Sequence, residues 1–282
     1  MVVYCPYTDQ ELDEIEVNRE HILPLSLGGI DGFEILVSKE FNSKAGSKID
    51  GALANEFFIK MKRNELDVRG HSNKRPVVTV KASQDVSTGN PVQVKFDKHD
   101  GMKIFCPLTN SYLTGEKKVQ ISLSMDMDIG LKFVAKTALS AGYFVYGDIF
   151  KNQVEHDEIR FIMNHDLKNP SDAAQKIRTR IDDNFRQVEN ADLEVIRVLC
   201  RMVTDSSIVG FVPGPSNIII FVGILGHYIG MLNVPANTEG FPKDGAYDLG
   251  HVITPQNGNL VRISFRRAIE KLKDVLEQAG NN

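Results

Sequence analysis

Tryptophan is absent from this 282-residue chain, and cysteine is scarce. The three cysteines, Cys5, Cys106 and Cys200, lie far apart and form no Cys-x-x-Cys pair. That excludes a disulfide framework and a four-cysteine zinc site. Thiols used so sparingly fit a reducing cytoplasm. A membrane-length apolar run is also lacking. The most apolar stretch, Ile218 to Leu232, is interrupted by Gly223, Gly226, His227 and Gly230, and it reads as a buried strand-turn-strand. The N-terminus, MVVYCPYTDQELDE, has neither the basic nor the apolar region of a secretory signal. A cytoplasmic location and no membrane partner are therefore expected. Strong charge of either sign is missing too: 33 Lys and Arg against 37 Asp and Glu leave a net charge of −4. That balance does not by itself point to nucleic acid.

What is present is ordinary globular material, 42% hydrophobic and 25% charged, in a length that suggests two packed units. The fold class expected is α+β. Residues 1–50 read as two short strands, a loop, a further apolar run (FEILVS) of strand character and the start of a helix. From Lys39 to Arg63 the spacing is helical, with Ile49, Leu53, Phe57 and Met61 every four residues. Residues 64–75 are a polar loop. PVVTVKAS and VQVKFD, joined by STGNP, predict a hairpin, and KKVQISLS (117–124) alternates again. Met125 to Ile149 has helical spacing. Residues 155–186 read as partly helical with a break at Asn169-Pro170. Leu193 to Val203 suits strand or helix, and Val209 to Val234 is strand-rich. Residues 235–260 read as loops, and a helix from about Val261 ends the chain with an apolar stripe. That stripe fits a core face or a homodimer interface equally.

One constellation carries chemistry. Glu20, His21 and Ile22 are followed by Pro24, Ser26, Leu27-Gly28-Gly29, and then by Asn42, Lys44 and Gly46. An excursion of strand, loop, strand and helix can return Asn42 beside the end of the first strand. An acid, an imidazole and a carboxamide would then meet. A carboxylate and an amide oxygen are hard ligands suited to Mg²⁺ or Mn²⁺. Such an ion stabilises charge on a phosphate, while the imidazole takes a proton from water. Neighbouring residues of a regular strand face opposite ways. Glu20 and His21 can share a site only if the backbone is irregular there, which Pro24 and the glycine pair would allow.

These residues carry a resemblance. EHILPLSLGG, a strand, and FNSKAGSKID together resemble the HNH, or ββα-metal, endonucleases, over roughly residues 5–50. The resemblance implies an N-terminal ββα-metal module, residues 1–75, followed by a mixed α/β C-terminal region, residues 76–282, which could divide again near 120–190. It implies an endonuclease hydrolysing DNA, with RNA an open alternative, in a phage-defence or restriction setting. His21 would activate water, and Glu20 and Asn42 would hold one Mg²⁺ or Mn²⁺. Lys44 and Lys48 would approach phosphate. The four places where relatives carry zinc-binding cysteines hold Cys5, Thr8, Ser38 and Phe41, so no structural zinc is expected. Packing of Tyr7, Val37 and Phe41 is expected in its place. The family's middle asparagine falls at Phe33 or Glu34, where Glu34 could support the histidine or approach the metal.

Charge is uneven along this region. Met1 to Glu34 holds one Arg and eight acids, and Lys39 to Arg75 holds nine Lys or Arg and five acids. The basic segment suits contacts to phosphates, with Lys62, Arg63 and Arg69 joining Lys44 and Lys48. A solvated helix face explains the same pattern. The near-repeat of Cys5-Pro6-Tyr7-Thr8 and Cys106-Pro107-Leu108-Thr109 reads as two turns with buried thiols. A second function class stays open beside the nuclease: a decayed HNH fold that binds nucleic acid, or that senses a ligand through the Gly-rich segments at 210–260.

Overall fold

The computed structural model describes residues 2–280, apart from 166–176, 188, 204 and 243–248. Two antiparallel pairs open the chain: β1 (Val2–Cys5) with β2 (Gln10–Asp13), and β3 (Val17–His21) with β4 (Glu34–Ser38). Helix α1 (Lys39–Ala45) follows β4 directly, because the Ser38 side chain accepts the Phe41 N–H and caps it. A π turn, Gly46–Asp50, leads into α2 (Gly51–Asn55) and α3 (Phe57–Leu66). The helical spacing over 39–63 thus resolves into short helices, interrupted by extended backbone at Glu56.

Five antiparallel strands follow: β5 (Val78–Asp85), β6 (Pro91–Asp97), β7 (Gly101–Cys106), β8 (Ser111–Tyr112) and β9 (Val119–Ile121). Their order in the sheet is β8-β7-β6-β5-β9. The expected hairpin of PVVTVKAS and VQVKFD lies at its centre as β5 and β6. Three helices come next: α4 (Ile129–Tyr146), α5 (Asp148–Gln153) and α6 (His156–Asn164). The expected break at Asn169-Pro170 lies outside the described residues. The remainder is β10 (Arg180–Asp183), α7 (Ala191–Met202), β11 (Ile208–Pro213), β12 (Asn217–Ile224), β13 (His227–Pro235), β14 (His251–Gln256), β15 (Asn259–Ser264) and α8 (Phe265–Gly280). Its strands form one antiparallel sheet, β10-β13-β12-β11-β14-β15. The architecture is α+β.

Side-chain alternation along β12 explains the layers. Ile218, Ile220, Val222 and Ile224 enter one core cluster, whereas Phe221 enters a second and Ile219 packs against it. The first cluster holds α4 and the N-terminal elements, and the second holds α7 and α8. Both faces of the sheet are thus covered, which is why its central strands are apolar throughout. Helix α4 is buried on most of its circumference, from Leu131 to Gly142. The first cluster runs without a break from Cys5 through Ile59 into α4 and β11–β13. Residues 1–75 therefore share their core with the C-terminal region. The buried residues of the five-stranded sheet belong to neither cluster.

Two expectations need correction. Residues 235–260 are not all loop, since β14 and the start of β15 occupy 251–260 as a hairpin. Gln256 pairs with Asn259 across a two-residue turn, Asn257-Gly258, both with positive φ. Asn-Gly is the sequence that such a turn favours. The last helix starts at Phe265, not near Val261, because Val261–Ser264 completes that hairpin. The segment open between strand and helix, Leu193–Val203, is helical through Met202 as α7, with Ile196, Leu199 and Cys200 buried at helical spacing.

Candidate functional site

Strand β3 is regular through His21, and the irregular backbone begins at Ile22. Adjacent side chains therefore diverge. Glu20 turns inward and is buried, and His21 sits directly across from Glu34 in the β3–β4 register. The loop that follows is pinned. Ile22, Leu23 and Leu27 have no exposed surface. Gly28 adopts φ +81°, and a Cβ on Gly29 would lie 1.6 Å from the Leu23 carbonyl oxygen. The Ser207 hydroxyl, just before β11, donates to the Leu27 carbonyl at 2.5 Å and ties the loop to the large sheet.

The loop returns Asp31 to the end of the strand. The His21 Nε2–H donates to Asp31 Oδ1 at 3.0 Å, and Glu34 Oε1 lies 3.1 Å from the same nitrogen. The His21 side chain keeps about 15% of its surface exposed, so the group is reachable. Glu34 also meets Arg19 at 3.3 Å. The His71 ring approaches the His21 ring edge-on, with centroids 5.3 Å apart. Two carboxylates on Nε2 fix the proton there and leave Nδ1 as the acceptor nitrogen.

Glu20 meets a different partner. Its carboxylate forms an ion pair with the Lys136 ammonium, whose side chain is fully buried in α4. Asp50, at the end of the π turn, reaches the same ammonium at 2.9 Å. The Tyr7 ring lies 5.9 Å from it. Burial pushes the Lys136 pKa down, but Tyr7, Asp50 and Glu20 more than offset this and hold it above the usual lysine value. Burial pushes the Asp50 carboxyl up, against the pull of Lys136. The Asn42 amide donates to the Asn18 side chain at 3.1 Å.

The structure thus brings Glu34 to His21, adds Asp31 and His71, and sends Glu20 to Lys136 and Asn42 to Asn18. A carboxylate held by a buried ammonium is a poor ligand for a dication, so Glu20 and Asn42 as arranged do not fit a metal. His21, Asp31 and Glu34 do come together, with ligand atoms within 4.8 Å of one another, and with the Nε2 proton in place the two carboxylates are the oxygens this group offers a dication. Asp9, His156 and Asp157 form a second such group, but the Arg160 guanidinium already bonds to Asp157 and His156 and pairs with Asp9.

The basic residues fare differently from one another. Lys44 pairs with Glu40 at 2.6 Å, Lys62 with Glu65 at 2.9 Å, and Arg69 makes a two-pronged contact with Asp67. Lys48 is exposed. Arg63 is buried, and one of its terminal nitrogens donates to the Ala54 carbonyl at 2.7 Å. Around the positions where zinc ligands are not expected, the Cys5 thiol accepts the Ser38 N–H at 3.3 Å, and the Tyr7 and Phe41 rings pack at 4.9 Å. The two Cys-Pro-x-Thr segments are both hairpin turns with buried thiols, closed by Asp9 and Asn110 at positive φ.

No family model, curated protein or solved structure matches this chain. Among the described residues, no helix is long and apolar enough to cross a membrane.

Proposed function

We propose that the protein is a metal-dependent endonuclease acting on DNA, with His21 as the group that takes a proton from water. The observation that carries this reading is the partly exposed imidazole at the end of β3, oriented through Nε2 by Asp31 and Glu34 and leaving Nδ1 to accept. The strand-loop-strand-helix order around it supports the resemblance to HNH endonucleases. Asp31 and Glu34 are the residues that would hold a Mg²⁺ or Mn²⁺ ion, which would neutralise charge on the phosphate. His21, held by the same carboxylates, moves the proton at Nδ1. Glu20 has a structural part in this reading: it neutralises Lys136 beneath the hairpin.

Cleavage of plasmid DNA in Mg²⁺ and Mn²⁺ tests the assignment. His21→Ala is expected to lower the rate by about 10²–10⁴-fold, the usual worth of a general base. Asp31→Asn with Glu34→Gln removes both carboxylates that would hold the ion and is expected to abolish cleavage in either metal. Glu20→Gln keeps activity if Lys136 is its partner and abolishes it if Glu20 is the metal ligand. A second reading, a nucleic-acid-binding protein of this fold without turnover, draws support from the Glu20–Lys136 pair. Binding of DNA with no cleavage in either metal would select it.

A further inference from the structure

A cavity of about 490 Å³ lies between α2, α3 and the segment after α3. Its walls include Lys60, Arg63, Lys74 and Arg75, together with Ser26 and Gly70, and no carboxylate. Charges gathered this way repel one another. Surface cations usually find acids, as Lys44, Lys62 and Arg69 do here. Arg75 reaches Asp67 at 3.6 Å. Among the described residues, Lys60, Arg63 and Lys74 are paired with no acid.

Arg63 makes the cavity more than a basic surface. The residue is 9% exposed, and its Nε, itself buried, has no hydrogen-bond partner among the described residues. An orphaned donor on a buried guanidinium is costly if nothing accepts from it. Burial also holds Arg63 and Lys60 below their usual values, with Arg63 adding to the effect on Lys60. An anion in the cavity would compensate the charge. A tetrahedral phosphate with several acceptor oxygens suits a mixed Arg and Lys set.

The cavity also adjoins the histidine. The segment that packs His71 against His21 continues through Ser72, Lys74 and Arg75 along the cavity wall. Ser26, in the loop after His21, faces Gly70 closely enough that a Cβ there would lie 3.2 Å from the serine Cβ. One strand of polynucleotide lying across His21 would present a second phosphate beside this wall.

We propose that the cavity holds a backbone phosphate of a polynucleotide whose neighbouring phosphate lies at His21. The identity of the ligand rests on the nucleic-acid reading of His21, but occupancy of the cavity does not require cleavage there.

Fluorescence anisotropy of a labelled duplex oligonucleotide, with EDTA present and the salt concentration varied, tests it on the full chain. Lys60→Ala with Lys74→Ala leaves the buried Arg63 in place. That double variant is expected to bind about tenfold more weakly. Its plot of log affinity against log salt should be shallower by about 0.9, the value for one lost phosphate contact. The exposed pair Lys271→Ala with Lys273→Ala on α8 should bind like the wild type. Equal affinity and slope in the Lys60/Lys74 variant would overturn the proposal. So would thermal stabilisation by inorganic phosphate in a protein that does not bind the oligonucleotide, because the ligand would then be a free anion. Cavity-dependent binding without cleavage would instead sink the nuclease reading and leave the phosphate site standing.

Discussion

At the scale of single residues, the site turns on which way two neighbours face. Strict alternation along β3 puts Glu20 inside and His21 outside, and the sequence already contained that rule. Glu34 was within reach of sequence reasoning too, as the residue across the hairpin from His21. Asp31 and His71 were not, because loops bring them in and loop paths follow no period. Lys136 is 86 residues from Asp50 and 116 from Glu20. Its signal was a lysine in the middle of the apolar helix FVAKTALSAG, a position that needs a buried acid. Replacing it should therefore be costly. Lys136→Met leaves two buried carboxylates without a counterion, and the expected loss is about 3–5 kcal/mol of stability. Glu20→Gln keeps the Lys136–Asp50 pair and should cost much less. Urea midpoints of the two variants check this, and a Lys136→Met protein as stable as the wild type would contradict it.

At the scale of elements, the loop after β3 holds the histidine in place. Its glycines serve different ends: Gly28 supplies a left-handed turn, and Gly29 leaves room for the Leu23 carbonyl oxygen. Gly29→Ala puts a methyl where a backbone atom already sits. A destabilisation of about 3 kcal/mol is expected, the upper end for overpacking. The His21–Asp31 bond should loosen with it, visible as a change in the His21 imidazole resonance by NMR. An unchanged unfolding midpoint would mean that the loop is not pinned there. The β14–β15 hairpin teaches a related lesson. Its Asn-Gly turn was legible, yet the surrounding Gly, Pro and Asn residues made the whole stretch look like loop. Helix α7 resisted reading because a short apolar segment suits either period until its partners are known.

At the scale of the molecule, the large sheet and α4 bind the N-terminal elements into one core, so the β3–β4 hairpin does not stand alone. The length of the chain suggested two units, and the sequence could not show that the core crosses residue 75, since contacts that distant leave no local pattern. Several buried groups make this core sensitive to alkali. Burial raises Tyr7, Tyr146 and Tyr228 above the usual tyrosine value of 10.0, and Lys136 is raised above 10.5 by its acids and Tyr7 despite burial. The fold thus keeps protons that the unfolded chain releases. Stability should be fully present below about pH 10 and fall as pH rises beyond it. Urea midpoints at pH 8, 9.5 and 11 measure this. A flat series would contradict the buried, protonated assignment of these four groups.

The central claim is that His21 activates water for DNA cleavage, and the most direct measurement is plasmid cleavage in Mn²⁺ or Mg²⁺ by the wild type, Glu20→Gln and His21→Ala. The account predicts cleavage by the first two and a loss of about 10²-fold or more in the third. Equal cleavage by wild type and His21→Ala, or none by any of the three in either metal, would contradict it.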